Sequence, residues 1–234
     1  MFSPGEIIAY LQMCGVERTQ LQRGMNYRLP TGRSVVLMSR RPNAPYADEV
    51  LDDGRTIVYE GHDMPKSAAV PIPKLIDQPS AFPSGALTQN GIFMKAVDEF
   101  KTGTRLAEPI LIYEKLKKGI WVFNGVFDLV DGWQVEQEER SVFKFRLESS
   151  SATVAESSMP EGTVSGLEHP RVIPGAIKQE VFKRDGGKCV MCGAEDELHF
   201  DHVLPYSRGG SSLVAENVQI LCARHNLEKS AKIQ

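Results

Sequence analysis

The chain has 234 residues, of which 41% are hydrophobic and 24% are charged, and its formal net charge is −3. This length suits one large or two small domains with a hydrophobic core. The net charge does not favour nucleic-acid binding, although cations clustered on one face can bind phosphate whatever the total charge. No apolar run approaches the roughly 20 residues that span a bilayer, and residues 1–15 lack the basic region of a signal peptide. We therefore expect a cytoplasmic protein without membrane contact.

The first 148 residues carry mostly strand patterns. A short opening helix is predicted, because Ser3 and Glu6 have the spacing of a capping box and Pro4 suits a first helical position. A second helix is predicted at about 93–100. Runs rich in β-branched and aromatic residues, bounded by Gly, Pro and Asp-Gly turns, predict strands at 34–39, 56–60, 109–116, 120–130 and 141–147.

A segment rich in Ser, Gly and Glu, without apolar periodicity, follows these strands. Such a composition is typical of a flexible linker. We therefore divide the chain into a mostly β domain at 1–148, a linker at 149–170 and a small second domain at 171–234. In the small domain, helices are predicted at 174–184 and from 224, and strands at 198–204 and 218–222.

The small domain contains two pairs of metal-binding residues. Cys189 and Cys192 form one pair, and Cys222 and His225 form the other, each with two intervening residues. Four nitrogen and sulfur ligands are the set that a closed tetrahedral Zn²⁺ site requires. A closed site has no position for substrate, so we expect this zinc to be structural.

The residues between and after the two pairs narrow the interpretation. Their order resembles the HNH (ββα-metal) endonuclease family over 171–234. The positions that carry the resemblance are Cys189, Cys192, Asp201, His202, Pro205, Gly209, Gly210, Asn217, Cys222, Asn226 and Lys229.

The roles of these residues follow from phosphodiester hydrolysis and from the resemblance. His202 is the candidate general base, and Asp201 offers a hard oxygen ligand to a catalytic Mg²⁺ or Mn²⁺. On a regular strand their side chains point to opposite faces, so one site can use both only if the strand ends or bulges there. The resemblance implies that Asn217 pins the loop and orients the base, and that Asn226, where the family has its final histidine, binds the catalytic metal with Asp201. Candidate phosphate contacts are Arg208, Arg224 and Lys229.

The first domain resembles the SRA domain, a PUA-like fold that recognises modified cytosine by flipping the base into a pocket. The resemblance covers roughly 30–148 and rests on the Tyr-x-Asp acidic loop at 46–48, the Tyr-x-Gly strand end at 59–61, the Asn ahead of a helix at 90 and the aromatic hairpin at 119–133. It departs from the family at Gly61-His62-Asp63, where a Gly-rich run is usual. Tyr46 and Tyr59 are candidate stacking faces and Asp48 a candidate acceptor for the cytosine amino group. The residues alone leave open that Tyr59 packs in a strand and that Asp48 is a turn residue.

The sequence thus predicts an α+β protein, with a mostly β PUA/SRA-like barrel followed by a small zinc-bound ββα-metal domain. The resemblance implies a restriction endonuclease that depends on 5-methylcytosine or 5-hydroxymethylcytosine in double-stranded DNA. Cutting both strands needs two active sites, so we expect a homodimer, at least on DNA. Two alternatives stay open: a zinc-stabilised DNA-binding protein without catalysis, which Asn226 favours, and an HNH nuclease whose first domain reads sequence.

Overall fold

A computed structural model describes residues 2–41, 43–51, 54–68, 70–137, 139–150, 172–205, 208 and 210–231. Most of the predicted linker, together with Arg171 and Gly209, lies outside these residues. The linker prediction begins too early, because the preceding strand continues to Ser149 and Ser150 is buried. No helix in the part of the chain described here is long and apolar enough to cross a membrane.

An eight-stranded sheet forms the first domain. Seven strands follow the order β2-β3-β6-β7-β8-β5-β4, and β1 pairs separately with β7. Strands β3 and β6 run parallel, and the other pairs are antiparallel. The strands are β1 (Ile7–Ala9), β2 (Met25–Asn26), β3 (Ser34–Met38), β4 (Glu49–Leu51), β5 (Thr56–Glu60), β6 (Glu108–Lys117), β7 (Ile120–Gln137) and β8 (Arg140–Ser149).

Both faces of the central strands are buried, which explains why their sequences are almost continuously apolar. In β6, Ile110 and Ile112 belong to one hydrophobic core, whereas Leu111 and Tyr113 belong to a second. This division follows from the alternation of side chains along a strand. The central hairpin therefore separates two packed layers of the domain.

Helix α2 (Gln89–Lys101) covers the first of these cores. Its N-cap is Thr88, whose hydroxyl accepts a hydrogen bond from the backbone N–H of Gly91 at 3.2 Å. Phe93 and Val97, one turn apart, are buried against the sheet. The prediction of a helix here is confirmed, and the helix begins four residues earlier than expected.

The predicted opening helix is wrong in position. Ser3 and Glu6 form a turn, since the backbone N–H of Ser3 donates to the Glu6 carboxylate at 2.8 Å. The chain then pairs with β7 as strand β1, and the helix α1 (Tyr10–Glu17) starts only afterwards. Pairing with an existing sheet edge outweighs the local capping signal, which is a weak preference by comparison.

The small domain has the predicted ββα arrangement preceded by a helix. Helix α3 (Gly175–Arg184) comes first, followed by the antiparallel hairpin of β9 (Leu198–His202) and β10 (Val218–Cys222), and then by α4 (Ala223–Ala231). The α+β class, mostly strands in the first domain, is confirmed. The strand predicted at 198–204 ends at His202.

The two domains are packed against each other. Val172 lies in the core of the first domain, and its N–H donates to the carbonyl of Gly54 at 3.1 Å. Its neighbour Ile173 lies in the core of the small domain. Gly54 has a φ of +89°, and a side chain there would lie 2.3 Å from the nitrogen of Val172, so the close approach needs glycine. The boundary between the domains is thus a packed interface.

Candidate functional site

The four predicted zinc ligands lie together. Their ligand atoms are all within 4.8 Å of one another. The Nδ1 atom of His225 is 3.4 Å from the sulfurs of Cys189 and Cys222, and the sulfurs of Cys192 and Cys222 are 3.8 Å apart. Tetrahedral zinc with Zn–S bonds of about 2.3 Å and Zn–N bonds of about 2.0 Å has edges of about 3.5–3.8 Å. The donor set and its dimensions therefore fit zinc.

The local fold favours the metal-binding form of one of these thiols, that of Cys189. Cys189 and Cys192 lie on a turn that ends at Gly193, and Cys222 and His225 lie where β10 passes into α4. Burial raises the pKa of Cys189, but hydrogen bonds from the backbone of Cys222, Met191 and Cys192 outweigh it and lower the pKa to about 6. The thiolate, which is the form that binds metal, is favoured.

The predicted catalytic pair lies at the end of β9. Asp201 and His202 are opposite Gln219 and Val218 of β10 in an unbroken register, and the strand ends at His202. The Asp201 carboxylate accepts hydrogen bonds from Lys229 of α4 and from Gln219, the latter at 3.3 Å. The His202 Nε2 atom is 2.8 Å from the hydroxyl of the buried Ser212. The strand thus ends at this pair, and each of the two side chains has its own hydrogen-bond partners.

Asn217 ties the loop after His202 to the start of β10. Its side-chain oxygen accepts from the N–H of Leu204 at 2.8 Å, and its amide donates to the carbonyls of Leu204 and Ser211 at 3.0 Å each. A side chain at Gly210 would lie 1.8 Å from the carbonyl oxygen of Leu204, so this loop closes only around a glycine. The contact of Ser212 with His202 was not predicted from the sequence. The sequence indicates it only through the position of Ser212 in the loop between His202 and Asn217.

The remaining predicted residues are divided between α4 and the loop. Asn226 and Lys229 are three residues apart on one face of α4, and Lys229 contacts both the Asp201 carboxylate and the carbonyl of His202. The structure thereby brings the face that bears Asn226 towards Asp201. Arg224 is exposed and lies next to His225 and Glu228. Arg208 is in the loop that Asn217 pins.

A separate cavity lies in the first domain. It has a volume of about 640 Å³ and is lined by all three predicted base-binding residues, Tyr46, Asp48 and Tyr59. Its size lies within the range of ligand sites in proteins. Tyr59 is 1% exposed and belongs to the core of the domain. Tyr59 therefore packs in its strand and also lines the cavity, so the two positions that the sequence left as alternatives are compatible.

His62, which the sequence marked only as a departure, also lines the cavity. Its ring stacks on Tyr46 with a centroid distance of 5.1 Å and an interplanar angle of 11°, and its Nε2 is 2.9 Å from the Tyr59 hydroxyl. Asn90 holds its backbone through two hydrogen bonds of 2.9 Å. Burial lowers the pKa of His62 to about 4, so the ring is neutral near pH 7. His62 therefore contacts both Tyr46 and Tyr59.

The loop that carries Tyr46 and Asp48 is anchored by buried charges. The Glu60 carboxylate accepts from the N–H of Ala47 at 3.0 Å and pairs with Lys144 at 3.1 Å. Lys144 also donates to the carbonyl of Ala47. Glu60 is 2% exposed, and a charge so deeply buried is stable only with such partners. The cavity wall is therefore fixed in position.

Asp48 is held by two hydrogen bonds and is sensitive to pH. Its oxygens accept from the backbone N–H groups of Ser39 and Glu60, both at 3.2 Å. Burial nevertheless raises the pKa of the carboxyl to about 7. Near neutral pH the group therefore exists in both the acid and the carboxylate form, and it can present a donor as well as an acceptor to a ligand.

The lining of the cavity also combines cations with aromatic rings. Arg23, Lys115 and Lys118 line it together with Tyr10 and Trp121. Trp121 is buried, whereas Trp133, at the other end of the aromatic hairpin, is 37% exposed. A lining that contains these three cations suits a polyanionic ligand.

Comparison with solved structures finds distant similarities. The SUVH5 SRA domain in complex with hemimethylated CG DNA has a TM-score of 0.42 and 21% identity, covering 70% of this chain and 94% of that chain. The modification-dependent TagI restriction endonuclease has a TM-score of 0.41 and 16% identity, covering 97% and 77%. Arabidopsis thaliana SUVH6 in complex with SAM has a TM-score of 0.41 and 17% identity, covering 68% and 27%.

A search of curated proteins gives no match to the chain. The comparison with protein families gives a match to the HNH endonuclease family over residues 189–232, a stretch that holds all four predicted zinc ligands, Asp201, His202, Asn217 and Asn226. The C-terminal part of the chain is an HNH endonuclease domain.

Proposed function

We propose that this protein is a modification-dependent DNA endonuclease. Its first domain takes up a cytosine that carries a 5-methyl or 5-hydroxymethyl group, flipped out of the duplex, and its HNH domain hydrolyses a nearby phosphodiester bond. The observation that carries the reader proposal is the convergence of Tyr46, Asp48 and Tyr59 on one cavity. These residues come from a loop and a core strand, and aromatic faces beside a polar group are what recognition of an unstacked base needs.

In the HNH domain, His202 takes the proton of the attacking water, and Ser212 orients its imidazole ring. Asn217 keeps the loop closed around this pair. Asp201 and Asn226 supply the oxygen ligands that Mg²⁺ or Mn²⁺ prefers, and the ion would stabilise negative charge on the phosphate. The Cys₃His cluster holds zinc as a structural element.

The phosphate contacts are assigned to cations near the HNH site, namely Arg208, Arg224 and Lys229. Lys229 pairs with Asp201. A metal ion bound by Asp201 would repel the ammonium group of Lys229, and this would leave Lys229 available for a phosphate oxygen. Cutting both strands requires a second HNH site, so we also propose that two copies act together on DNA.

The test uses duplexes that differ only at one cytosine, which is unmodified, 5-methylated or 5-hydroxymethylated. With Mg²⁺ or Mn²⁺ present, we expect preferred cutting of a modified duplex. His202→Ala should slow cutting by about 10²–10⁴-fold while binding persists, and Asp48→Ala should remove the preference. Equal cutting of all three duplexes would contradict the modified-base reader and favour a sequence reader. Absence of cutting with either metal would favour a DNA-binding protein without catalysis.

A further inference from the structure

The HNH domain and the sheet domain share one hydrophobic core. Leu116, Ile120 and Val122, from the hairpin of β6 and β7, pack in the same cluster as residues of the HNH domain. The members contributed by the HNH domain include Ile173, Val181, Leu198, Phe200, Val218, Ile220 and Leu221. Apolar surface buried between two domains resists their separation.

A buried polar network lies beside this core. The Lys178 ammonium, from α3, is 2.7 Å from the Glu114 carboxylate of β6 and 2.6 Å from the side-chain oxygen of Asn124 of β7. Arg40 pairs with the other oxygen of Glu114 at 3.2 Å and donates to the carbonyl of Ile173 at 3.3 Å. Lys178 and Glu114 are 2% and 3% exposed. Burial raises the pKa of Glu114, but Lys178 and Arg40 outweigh it and lower the pKa to about 2, so the carboxylate is charged.

A backbone connection crosses the same interface. Strand β1 pairs with β7, and just before it the carbonyl of Gly5 accepts from the N–H of Phe200 in β9 at 3.0 Å. Glu6 and His199 form an antiparallel bridge. Gly5 has a φ of +86°, and a side chain there would lie 2.9 Å from the carbonyl oxygen of Phe200. The N-terminal segment therefore joins the two sheets.

The hairpin of β6 and β7 connects this interface to the cavity. Lys115 and Trp121, which pair across the hairpin, line the cavity. Their sequence neighbours Leu116, Ile120 and Val122 pack against the HNH domain. Because successive side chains of a strand point to opposite faces, one hairpin contacts the cavity with one face and the HNH domain with the other.

We propose that Glu114 and Lys178 are positioning residues that hold the HNH domain in one orientation relative to the cavity, so that the cut falls at a fixed distance from the base that is read. The proposal rests on the proposed function. An HNH domain held only by a flexible chain of about 20 residues would range over roughly 25 Å. That range corresponds to roughly seven base pairs on either side, at 3.4 Å per base pair. The two arrangements therefore differ in the distribution of cut positions.

The experiment maps cut positions at nucleotide resolution on end-labelled duplexes that carry one modified cytosine. The wild-type protein should cut each strand at one position or two adjacent ones. Lys178→Glu, which places a second carboxylate against Glu114, should spread the cuts over about ten base pairs or more. Lys188→Glu is the matched control, because it makes the same charge change at an exposed lysine of the HNH domain and should cut as the wild type does.

Zinc content and thermal melting show whether a variant folds. If Lys178→Glu does not fold, the cut positions are mapped with Lys178→Met instead, because this variant removes the charge and keeps a side chain of similar length. Sharp, unchanged cut positions in a folded Lys178 variant would overturn the proposal, as would scattered cutting by the wild type. Wild-type protein that prefers modified duplexes but cuts them at scattered positions contradicts only this proposal. Equal cutting of modified and unmodified duplexes contradicts the proposed function instead.

Discussion

The HNH domain and the cavity of the sheet domain are built from residues at very different separations along the chain. All four predicted zinc ligands and the candidate catalytic residues lie within residues 189–226, on one hairpin, one turn and one helix. The cavity is lined from residues 10–24, 37–48, 59–62 and 115–121, which only the folded sheet brings together. The geometry of the HNH site therefore depends on residues close together in the sequence, and that of the cavity on the packing of the whole sheet domain.

The largest expected effect tests whether the HNH site and the cavity depend on separate parts of the structure. Cys222→Ser removes a zinc ligand from a domain whose own core is small, so we expect loss of zinc, unfolding of the HNH domain and undetectable DNA cutting. Binding of the modified duplex by the sheet domain should persist, because the ligands Cys189 and Cys222 belong to the core shared with the HNH domain and none of the ligands belongs to the other two cores of the sheet domain. Zinc analysis, a nuclease assay and a DNA-binding titration measure the three quantities.

Cys14→Ser is the control for this change. Cys14 is a half-buried cysteine packed against the second core of the sheet domain, and it is not among the clustered ligands. Zinc content and cutting should be unchanged. If Cys222→Ser retained full cutting, the Cys₃His cluster would not be the structural support of the HNH domain.

The next largest effect is expected in the cavity. A side chain at Gly24 would lie 2.5 Å from Nε2 of His62 and 2.6 Å from the Tyr59 hydroxyl. Gly24→Ala should displace this pair, at a cost of about 1–3 kcal/mol, and weaken the preference for the modified duplex by about tenfold or more. Competition binding with modified and unmodified duplexes measures the preference.

Gly15→Ala gives a matched comparison, because a side chain at Gly15 has no atom within 4 Å. It should leave both binding and cutting unchanged. A Gly24→Ala protein with undiminished preference would show that His62 and Tyr59 do not shape the bound state.

The same difference in sequence separation explains which features of the fold and of the two sites could be predicted from the sequence. Two Cys/His pairs are a short pattern with a chemical meaning, so the Cys₃His cluster followed from their spacing. The longer strands of the sheet, β3 and β5 to β8, followed from their apolar runs, whereas the two- and three-residue strands β1, β2 and β4 did not. The role of His62 did not, since its contacts with Tyr46 and Asn90 join residues 16 and 28 positions apart. The packing of Lys178 against Glu114 spans 64 positions and has no local pattern.

A smaller effect is expected from the support of the candidate base. Ser212→Ala removes the hydroxyl that lies 2.8 Å from His202, and we expect kcat to fall about tenfold with little change in DNA affinity. Ser211→Ala is the neighbouring control, since its hydroxyl accepts from the backbone N–H of Leu213 at 3.0 Å, and we expect its kcat to stay within about twofold of the wild-type value. Single-turnover cutting separates kcat from binding. An equal loss in both variants would indicate a general disturbance of the loop rather than loss of orientation of His202.

The smallest expected effect concerns the ionisation of Asp48. Its pKa of about 7 means that the carboxyl is mostly protonated at pH 6 and mostly ionised at pH 8.5. A protonated carboxyl can donate to N3 of cytosine and accept from its amino group, whereas the carboxylate can only accept. We therefore expect the affinity for a modified duplex, divided by that for an unmodified duplex, to fall several-fold between these pH values. The division cancels the pH dependence of phosphate contacts shared by both duplexes. Asp48→Asn carries no titrating proton and should give a flat ratio over the same range, and a ratio that rises with pH in the wild type would mean that the carboxylate is the form that reads the base.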